Sequence, residues 1–337
     1  MKLVVGFITF GENTAKYLPY FLPGLKKQTF TDFQIIAVDN SNKEDDSNIS
    51  YIKKNHPEID LIISDENLGF AKSYNLMIEK ALSRGADYFL ALNPDMIIKE
   101  DAIEKMISFI EKNNQIGALA PKILRWDFQN KQKTKEIDSY GLYITKEHRF
   151  SDLNQGEKDR DDIETKEVFG FTGAAVLFRS EALRDVAFLI DNKKEYFDEL
   201  MFMYKEDCDL SYRFRLAGWK IFFCPEAVFY HDRTASPKGE NNIKIALNRK
   251  NKSKQVKKWS FLNHWILVFR YFGLLYSLKV KWATFYYQLK SLIFAFVFET
   301  YLIKEFFKLF KLRKELKIKK KQLKIRIKAK DIEKIMS

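Results

Sequence analysis

The sequence predicts an α/β domain with a mostly parallel sheet covered by helices on both faces, followed by a C-terminal α-helical region. Short apolar runs alternate with helix-like segments in the first part of the chain. Polar residues stand where these runs end, and the composition becomes basic and aromatic-rich near residue 238. With 337 residues, 46% of them apolar, the chain can bury the core of one large domain plus an appendage, or of two domains.

Four apolar runs predict the first strands. They are KLVVGFITF (2–10), FQIIAVDN (33–40), DLIIS (60–64) and DYFLALN (87–93). Helix-like segments are predicted near 14–28, 46–55, 70–84 and 99–113. In sheets built from such alternation, ligands bind beyond the carboxyl ends of the strands, so the polar residues there are candidate site residues.

The middle of the chain has weaker patterns. Residues 127–167 are polar and charged, which indicates a long loop or an excursion at an edge of the sheet. The stretch VFGFTGAAVLFRSEAL (168–183) predicts a loop, a strand and the start of a helix. KIFFCP (220–225) predicts a last strand that Pro225 ends.

The charge distribution separates the chain into two predicted domains, 1–237 and 238–337. The second contains 26 Lys and Arg against 6 Asp and Glu, and the first contains 32 against 39. The uncharged runs of this basic tail are far shorter than the ~20 residues that a membrane-spanning helix needs. They predict helices that lie on a surface, either of the protein or of a membrane. They could cap the first domain, attach it to a membrane surface through aromatic and basic residues, or do both.

Cysteine usage and the N-terminus indicate a compartment. The two cysteines, Cys208 and Cys224, do not make a disulfide framework. Residues 1–20 lack the pattern of a signal peptide. We therefore expect a cytoplasmic protein, peripheral on the inner face of the cell membrane if the tail binds lipid.

Strand-end residues are the first candidates for chemistry. Asn93 and Asp95 in LNPDM could share a divalent cation that bridges phosphate oxygens, or form an ordinary turn. Asp39 and Asn40 in VDNS could bind a nucleotide base, or form a turn in the same way. Thr9 ends the first predicted strand.

Two further segments are candidates. In ENLGFAKSYN, Asn67, Gly69 and Asn75 surround a turn into a helix whose N-terminus could face a phosphate. His231 follows the last strand and could be a metal ligand or a packed imidazole.

The segment EDCDLSYRFRLAG contains three acids at the start of a predicted helix, which Gly218 closes. Helical phase puts Asp207 on the apolar face and directs it into the domain. Glu206, Asp209 and Arg213 fall on another face, where Asp209 and Arg213 are expected to form a surface ion pair. Acidic neighbours would raise the pKa of Asp207, which favours a general base.

In their order along the chain, these motifs resemble family 2 of the inverting glycosyltransferases, with the GT-A fold, and within it the rhamnosyltransferase-like branch. The resemblance covers roughly residues 3–236 and is most specific in FDELMFMYKEDCDLSYRFRLAGWKIFFCPEAVFYHDRTAS. FGENT differs from the family's usual Tyr-Asn-Arg after the first strand, and NPD has Asn93 where the family has the first acid of Asp-X-Asp.

The resemblance implies roles for individual residues. Asp207 would be the catalytic base, and Asp95 and His231 would bind a divalent cation, Mg²⁺ or Mn²⁺. The remaining candidates would contact the nucleotide-sugar donor or the acceptor: Thr9, Asp39, Asn40, Asn67, Gly69, Asn75, Asn93, Gly173 and Glu206. Among them, Gly173 would border the acceptor, a lipid-linked or cell-surface glycan, and the donor would be dTDP-rhamnose.

This reading has rivals of other classes. A nucleotidyltransferase or a dinucleotide enzyme could use a similar sheet, although no G-x-G-x-x-G or G-x-x-x-x-G-K-[ST] follows the first strand. A retaining transferase would need a second carboxylate as nucleophile, for which no motif is apparent. The basic tail suits a nucleic-acid-binding protein, but the acidic first domain does not, so no nucleic-acid partner is expected.

Overall fold

The computed structural model describes residues 1–41, 46–160, 162–233 and 252–337. The predicted domain boundary at 237–238 lies outside the described residues, as do the last residues of the HDRTAS motif.

The first half of the sheet is parallel, as predicted. Its strands are β1 (Leu3–Thr9), β2 (Phe33–Asp39), β3 (Asp60–Ile63) and β4 (Tyr88–Leu92). They lie in the order β3-β2-β1-β4, each paired in parallel with its neighbour. Every residue of β4 is buried, as expected for a strand covered on both faces.

Helices cover both faces, which confirms the predicted fold class. They are α1 (Glu12–Ala15), α2 (Leu18–Lys26), α3 (Ser47–Asn55), α4 (Gly69–Ser83), α5 (Ala102–Glu111), α6 (Ser180–Val186) and α7 (Glu206–Leu216). One buried apolar cluster joins the sheet to α4, α6 and α7. Another joins its opposite face to α2, α3 and α5.

Beyond β4 the sheet becomes mixed. The strands of this half are β5 (Met96–Ile98), β6 (Ile116–Asp127), β7 (Gln132–Ser139), β10 (Lys166–Glu167), β11 (Ala175–Arg179) and β14 (Lys220–His231). The order is β10-β14-β6-β11-β4, in which β11 runs antiparallel to β4 and β6, and β14 runs parallel to β6.

Residues 127–167 form the edge excursion and not the long loop. The antiparallel strand β7 pairs with the end of β6, and β8 (Leu142–Ile144) pairs with β9 (Phe150–Asp152). The first half of β7 is mostly exposed, so its strand residues are charged and lack apolar alternation. A further hairpin, β12 (Phe188–Ile190) with β13 (Lys193–Glu195), was not predicted.

The prediction that Pro225 ends the last strand is wrong. β14 continues to His231, and its register with β6 shifts between Cys224 and Val228. This irregularity accommodates Pro225, which has no N–H to donate to a ladder. The continued strand carries His231 to the same edge of the sheet as β5, where it pairs with Met96.

The C-terminal region is helical, as predicted. It consists of α8 (Lys254–Tyr271), α9 (Leu278–Phe298), a 3₁₀ turn (Thr300–Leu302), α10 (Ile303–Lys321) and α11 (Ala329–Glu333). Among the described helices, none is long and apolar enough to cross a membrane. A third buried cluster joins α8, α9 and α10 to the outer face of α7, where Tyr212 stacks on Tyr271 with ring centroids 3.9 Å apart.

Buried ion pairs also connect the C-terminal helices to the rest of the chain. Arg270 of α8 is fully buried and pairs with Asp198, at 2.5 Å, and with Asp209 of α7. Lys319 of α10 is also fully buried and binds Asp198 at 2.6 Å and Glu195 at 2.7 Å. Buried charges are tolerated only when they are paired and hydrogen-bonded, so these helices and α7 must pack together.

Replacing Arg270 should destabilise the whole chain. Arg270→Met leaves Asp198 and Asp209 buried with one cationic partner fewer each, which should lower the free energy of unfolding by about 3 kcal/mol. Urea denaturation followed by circular dichroism measures this change. The matched control is Arg313→Met on the exposed side of α10, expected to change stability by less than ~0.5 kcal/mol. Equal effects of the two substitutions would contradict the role of the ion pairs.

Candidate active site

The carboxyl ends of β1 and β2 bring Thr9 and Asp39 together. The two residues are register partners, both are fully buried, and the Thr9 hydroxyl donates to Asp39 Oδ2 at 2.5 Å. The Ser41 N–H donates to Asp39 Oδ1 at 2.9 Å. Burial raises the pKa of the Asp39 carboxyl, and these hydrogen bonds oppose that rise. The structure therefore places a hydrogen-bonded carboxylate at the predicted nucleotide-binding edge.

Asn40, Asn67 and Gly69 shape the loop that leads into α4. The Asn40 amide donates to the Ser73 hydroxyl at 2.9 Å, and the Asn67 side chain accepts from the Gly69 N–H at 2.9 Å. Gly69 has φ +71°, and a Cβ there would lie 2.5 Å from the Phe202 carbonyl oxygen. A glycine is thus required where this loop touches the segment before α7.

Asn75 lies further along α4 and ties it to the segment before α7. Its side-chain oxygen accepts from the N–H groups of Tyr196, at 3.0 Å, and Phe197, at 2.8 Å. Its amide donates to the Phe197 carbonyl at 2.9 Å and to Glu199 at 3.0 Å. All of these bonds are internal to the protein, so this candidate has a structural explanation.

Asp95 and His231 meet at the edge formed by β5 and β14. His231 Nε2 lies 3.2 Å from Asp95 Oδ1, and His231 Nδ1 lies 2.8 Å from Asp138 Oδ2. Burial alone lowers the pKa of His231, but the two carboxylates outweigh it and raise the pKa to about 10. Asp138 was not among the predicted site residues, because it lies in the charged segment 127–167, which was expected to form a long loop or an excursion at an edge of the sheet.

Asp207 meets the Gly173 segment at the start of α7. Its Oδ2 accepts from the Gly173 N–H at 3.0 Å, and its Oδ1 accepts from the Cys208 N–H at 2.7 Å. The neighbouring Ala174 carbonyl accepts from the Asn93 N–H at 2.8 Å. The dipeptide Gly173–Ala174 therefore links the candidate base to the segment that contains Asp95.

The three acids of α7 differ in burial, but not in the way that the helical periodicity predicted. Asp209 is fully buried, and its ion pair with Arg213, at 2.8 Å, is buried as well, so the predicted surface location is wrong. Glu206, expected on the same surface, is also buried. The reason is that Arg270 and Tyr271 of α8 contact Asp209, and the Val186 and Tyr196 carbonyls accept from Arg213, on the face that the sequence pattern assigned to solvent. Asp207 is the least buried of the three.

Burial governs the titration of the remaining two acids. It raises the pKa of the Asp207 carboxyl, while the N–H groups of Gly173 and Cys208 act in the opposite direction. Burial, with the charge of Asp207 next to it, raises the pKa of Glu206 well above its usual value. Glu206 Oε2 is buried and has no hydrogen-bond partner among the residues that the structure describes, as suits a protonated acid better than a carboxylate.

Another acidic group lies away from this edge. Glu195, Asp198 and Glu315 approach one another closely enough to hold a metal ion. Lys319 Nζ already binds all three, at 2.6–2.7 Å, so a buried ammonium group accounts for the cluster.

The mixed sheet with helices on both faces and polar residues at its strand ends is the arrangement expected of the GT-A fold. The GT-A expectation agrees with a crystal structure of GalNAc-T7 with UDP, GalNAc and Mn²⁺, which superposes with a TM-score of 0.54 at 14% identity over 78% of this chain and 50% of that one. This chain belongs to glycosyl transferase family 2, whose sequence profile matches residues 5–187. The match includes Thr9, Asp39 and Asp95 and stops before Asp207.

Two curated relatives agree with the family. One, from Mycobacterium tuberculosis, is named N-acetylglucosaminyl-diphospho-decaprenol L-rhamnosyltransferase and is 24% identical over 70% of this chain and 78% of its own length. The other, from Haemophilus influenzae, is named an uncharacterized glycosyltransferase and is 29% identical over 34% of this chain. This chain spans 35% of the length of the Haemophilus relative and half of the GalNAc-T7 chain. The predicted resemblance to family 2 and its rhamnosyltransferase-like branch is confirmed.

Proposed function

We propose that this chain is an inverting glycosyltransferase in which Asp207 is the general base and a divalent cation assists departure of the nucleotide. One observation carries the proposal: Gly173 holds the Asp207 carboxylate, and the next residue, Ala174, holds the segment of Asn93 and Asp95. A base and a cation site therefore flank one short segment, the arrangement that a single displacement between an acceptor hydroxyl and a sugar diphosphate needs.

The residues around Asp95 suit a divalent cation. Among the described residues, buried Asp95 Oδ1 has only His231 Nε2, at 3.2 Å, as its partner, and a divalent cation would replace this ion pair as the imidazole loses its proton. Asp138 holds the opposite ring nitrogen, the arrangement that orients a metal-binding histidine. Asp95 and His231, with Asn93 nearby in sequence, would hold Mg²⁺ or Mn²⁺. When bound, the cation would neutralise the charge that develops on the leaving diphosphate.

Asp207 would take the proton of the acceptor. As the acceptor oxygen bonds to the sugar carbon, the bond from that carbon to the diphosphate breaks, and the hydroxyl proton passes to the Asp207 carboxylate. The raised pKa of Asp207 makes it a stronger base, and a protonated Glu206 would add no second negative charge beside it. Asp39, with Thr9 behind it, would bind the nucleotide.

For the donor we propose dTDP-rhamnose, and for the acceptor a lipid-linked or cell-surface glycan. The support is the relative from Mycobacterium tuberculosis, whose name gives an L-rhamnosyl group and an N-acetylglucosaminyl-diphospho lipid, and whose similarity covers 70% of this chain.

We further propose that α9 and α10 bind an anionic membrane surface. Large apolar side chains of α9 are exposed along one stripe at helical spacing: Leu278, Trp282, Phe285, Tyr286, Leu289, Ile293, Phe296 and Val297. Exposed cations of α10 accompany them: Lys304, Lys311, Arg313, Lys314, Lys317 and Lys321. Aromatic residues that enter the headgroup layer and cations that attract anionic lipid are the two components of interfacial binding.

Asp207→Asn should lower sugar transfer by about 10²–10⁴-fold, because the amide cannot accept the acceptor proton. The dissociation constant of dTDP-rhamnose should stay nearly unchanged. Release of dTDP in the presence of an N-acetylglucosaminyl-diphospho lipid measures transfer, and calorimetry measures binding. Asp191→Asn, at an exposed turn, is the matched control and should keep full activity. Undiminished turnover of Asp207→Asn would rule out this base.

Asp95→Ala should abolish Mn²⁺ binding together with transfer, because it removes the charged ligand. Electron paramagnetic resonance of free Mn²⁺ in a titration counts the bound ions without any need for activity. Asp331→Ala, an exposed acid of α11, should bind Mn²⁺ like the unmodified chain. An unchanged stoichiometry in Asp95→Ala, or full turnover of the unmodified enzyme in EDTA, would contradict the cation site.

Trp282→Ser with Phe296→Ser should weaken binding to phosphatidylglycerol vesicles by at least about tenfold, because each large side chain contributes ~1.5–3 kcal/mol when buried. Cosedimentation measures the bound fraction, and added salt should reduce it. Leu189→Ser, which changes an exposed apolar residue on β12, is the control and should bind normally. If the unmodified protein does not cosediment, the membrane proposal is wrong.

A further inference from the structure

The turn before α7 has an unfavourable backbone. Tyr204 and Lys205 have φ values of +75° and +69°, the left-handed region that residues with a Cβ rarely adopt. Asp207, the proposed base, follows two residues later. Two such residues in succession persist only where the surrounding structure enforces them, so the question is what holds this turn.

Asn263 of α8 holds the turn. Its side-chain amide donates to the Met203 carbonyl at 2.9 Å and to the Tyr204 carbonyl at 2.7 Å, which uses both of its N–H groups. Asn263 is itself buried. One helical turn earlier, Trp259 stacks on Phe202 with ring centroids 4.9 Å apart. Trp259 and Asn263, one helical turn apart on α8, therefore contact three consecutive residues, 202–204.

The same helix also fixes α7 beyond Asp207. Arg270, seven residues after Asn263 and so near the same face of α8, pairs with Asp209. The adjacent Tyr271 hydroxyl donates to Asp209 Oδ1 at 2.8 Å. Asp207 is thus held between two points of attachment to α8, one before it in the chain and one after it.

The turn also adjoins the donor side of the site. The Phe202 carbonyl accepts from the Phe70 N–H at 2.8 Å, next to Gly69. A residue that acts on the loop leading into α4 would change donor binding, whereas one that acts on Asp207 would change turnover. Kinetic measurements can therefore separate the two effects.

We propose that Asn263 is a positioning residue for the general base: it enforces the Tyr204–Lys205 turn and so aims the Asp207 carboxylate at the Gly173 N–H and the acceptor. The C-terminal region, on this proposal, completes the active site instead of only covering the domain. The inference rests on the proposed function of Asp207.

Asn263→Ala in the full chain tests the proposal. Turnover should fall about 10- to 100-fold, the scale expected for a misplaced catalytic group, while the dissociation constant of dTDP-rhamnose stays nearly unchanged. Amide hydrogen exchange should rise in peptides covering 170–176 and 200–210, which requires no donor or acceptor. Gln255→Ala, exposed on α8, is the matched control and should change neither quantity. Unchanged turnover and exchange, or weaker donor binding at unchanged turnover, would overturn the proposal.

Adding Lys205→Gly to Asn263→Ala gives the second test. Glycine adopts the left-handed conformation without a Cβ penalty, so it should restore part of the turnover and of the exchange protection. If Asn263 contributed only to packing, Lys205→Gly would not restore turnover or exchange protection. Absence of such recovery therefore overturns the proposal. If Asn263→Ala alone does not fold, the double variant should fold, and its failure to do so would count equally against the turn.

The two proposals can fail separately. If Asp207→Asn is inactive and Asn263→Ala is fully active, the positioning role is wrong and the base assignment stands. If Asp207→Asn is fully active, the base assignment itself is wrong, whatever the effect of Asn263→Ala.

Discussion

The buried ion pairs of Arg270 and Lys319 are the constraint on which the arrangement of the catalytic and C-terminal parts depends. Asp198 and Asp209 are fully buried, and cations from α8 and α10 balance their charges. Without α8 and α10, Asp198 would lose both of these cations and Asp209 would keep only Arg213, so the buried state of this region requires both parts. The position of α7, and with it Asp207, therefore depends on helices that begin after residue 252.

The site is assembled by short main-chain links between elements distant in sequence. Gly173 and Ala174, the two residues just before β11, bond Asp207 on one side and Asn93 on the other. Because β11 pairs antiparallel to β4, its first residue lies next to the carboxyl end of β4. The antiparallel insertion that makes the sheet mixed thus brings the proposed base close to the proposed cation ligands.

Features that depend on local pattern were predicted well from the sequence. Features that depend on how the C-terminal helices pack over the sheet and its helices were predicted poorly. The parallel strands, the glycine that ends α7 and the strand-end acids all follow from periodicity and turn chemistry. The burial of Asp209 and Arg213 does not, because charges on one face of a helix indicate solvent unless another helix covers them. Asp138 was missed because its strand has charged, exposed residues, and Pro225 was misread because a register shift leaves no sequence signal.

The tail could not be interpreted from sequence because the exposed face of α9 is apolar and its buried face is half polar. Val280, Thr284, Gln288 and Ala295 are buried at spacings of four and seven, and the exposed stripe of Trp282, Phe285, Leu289 and Ile293 lies on the other side. Such a helix has no clear amphipathic pattern, so the cap and the membrane readings fit it equally well. In the structure, the cap interpretation applies to one face of α9 and the membrane interpretation to the other. The inner face packs on the protein, and the outer face leaves a large apolar surface that a soluble monomer rarely exposes. A lipid surface at the outer face would therefore lie on the same helical layer that holds the Tyr204–Lys205 turn and the proposed base.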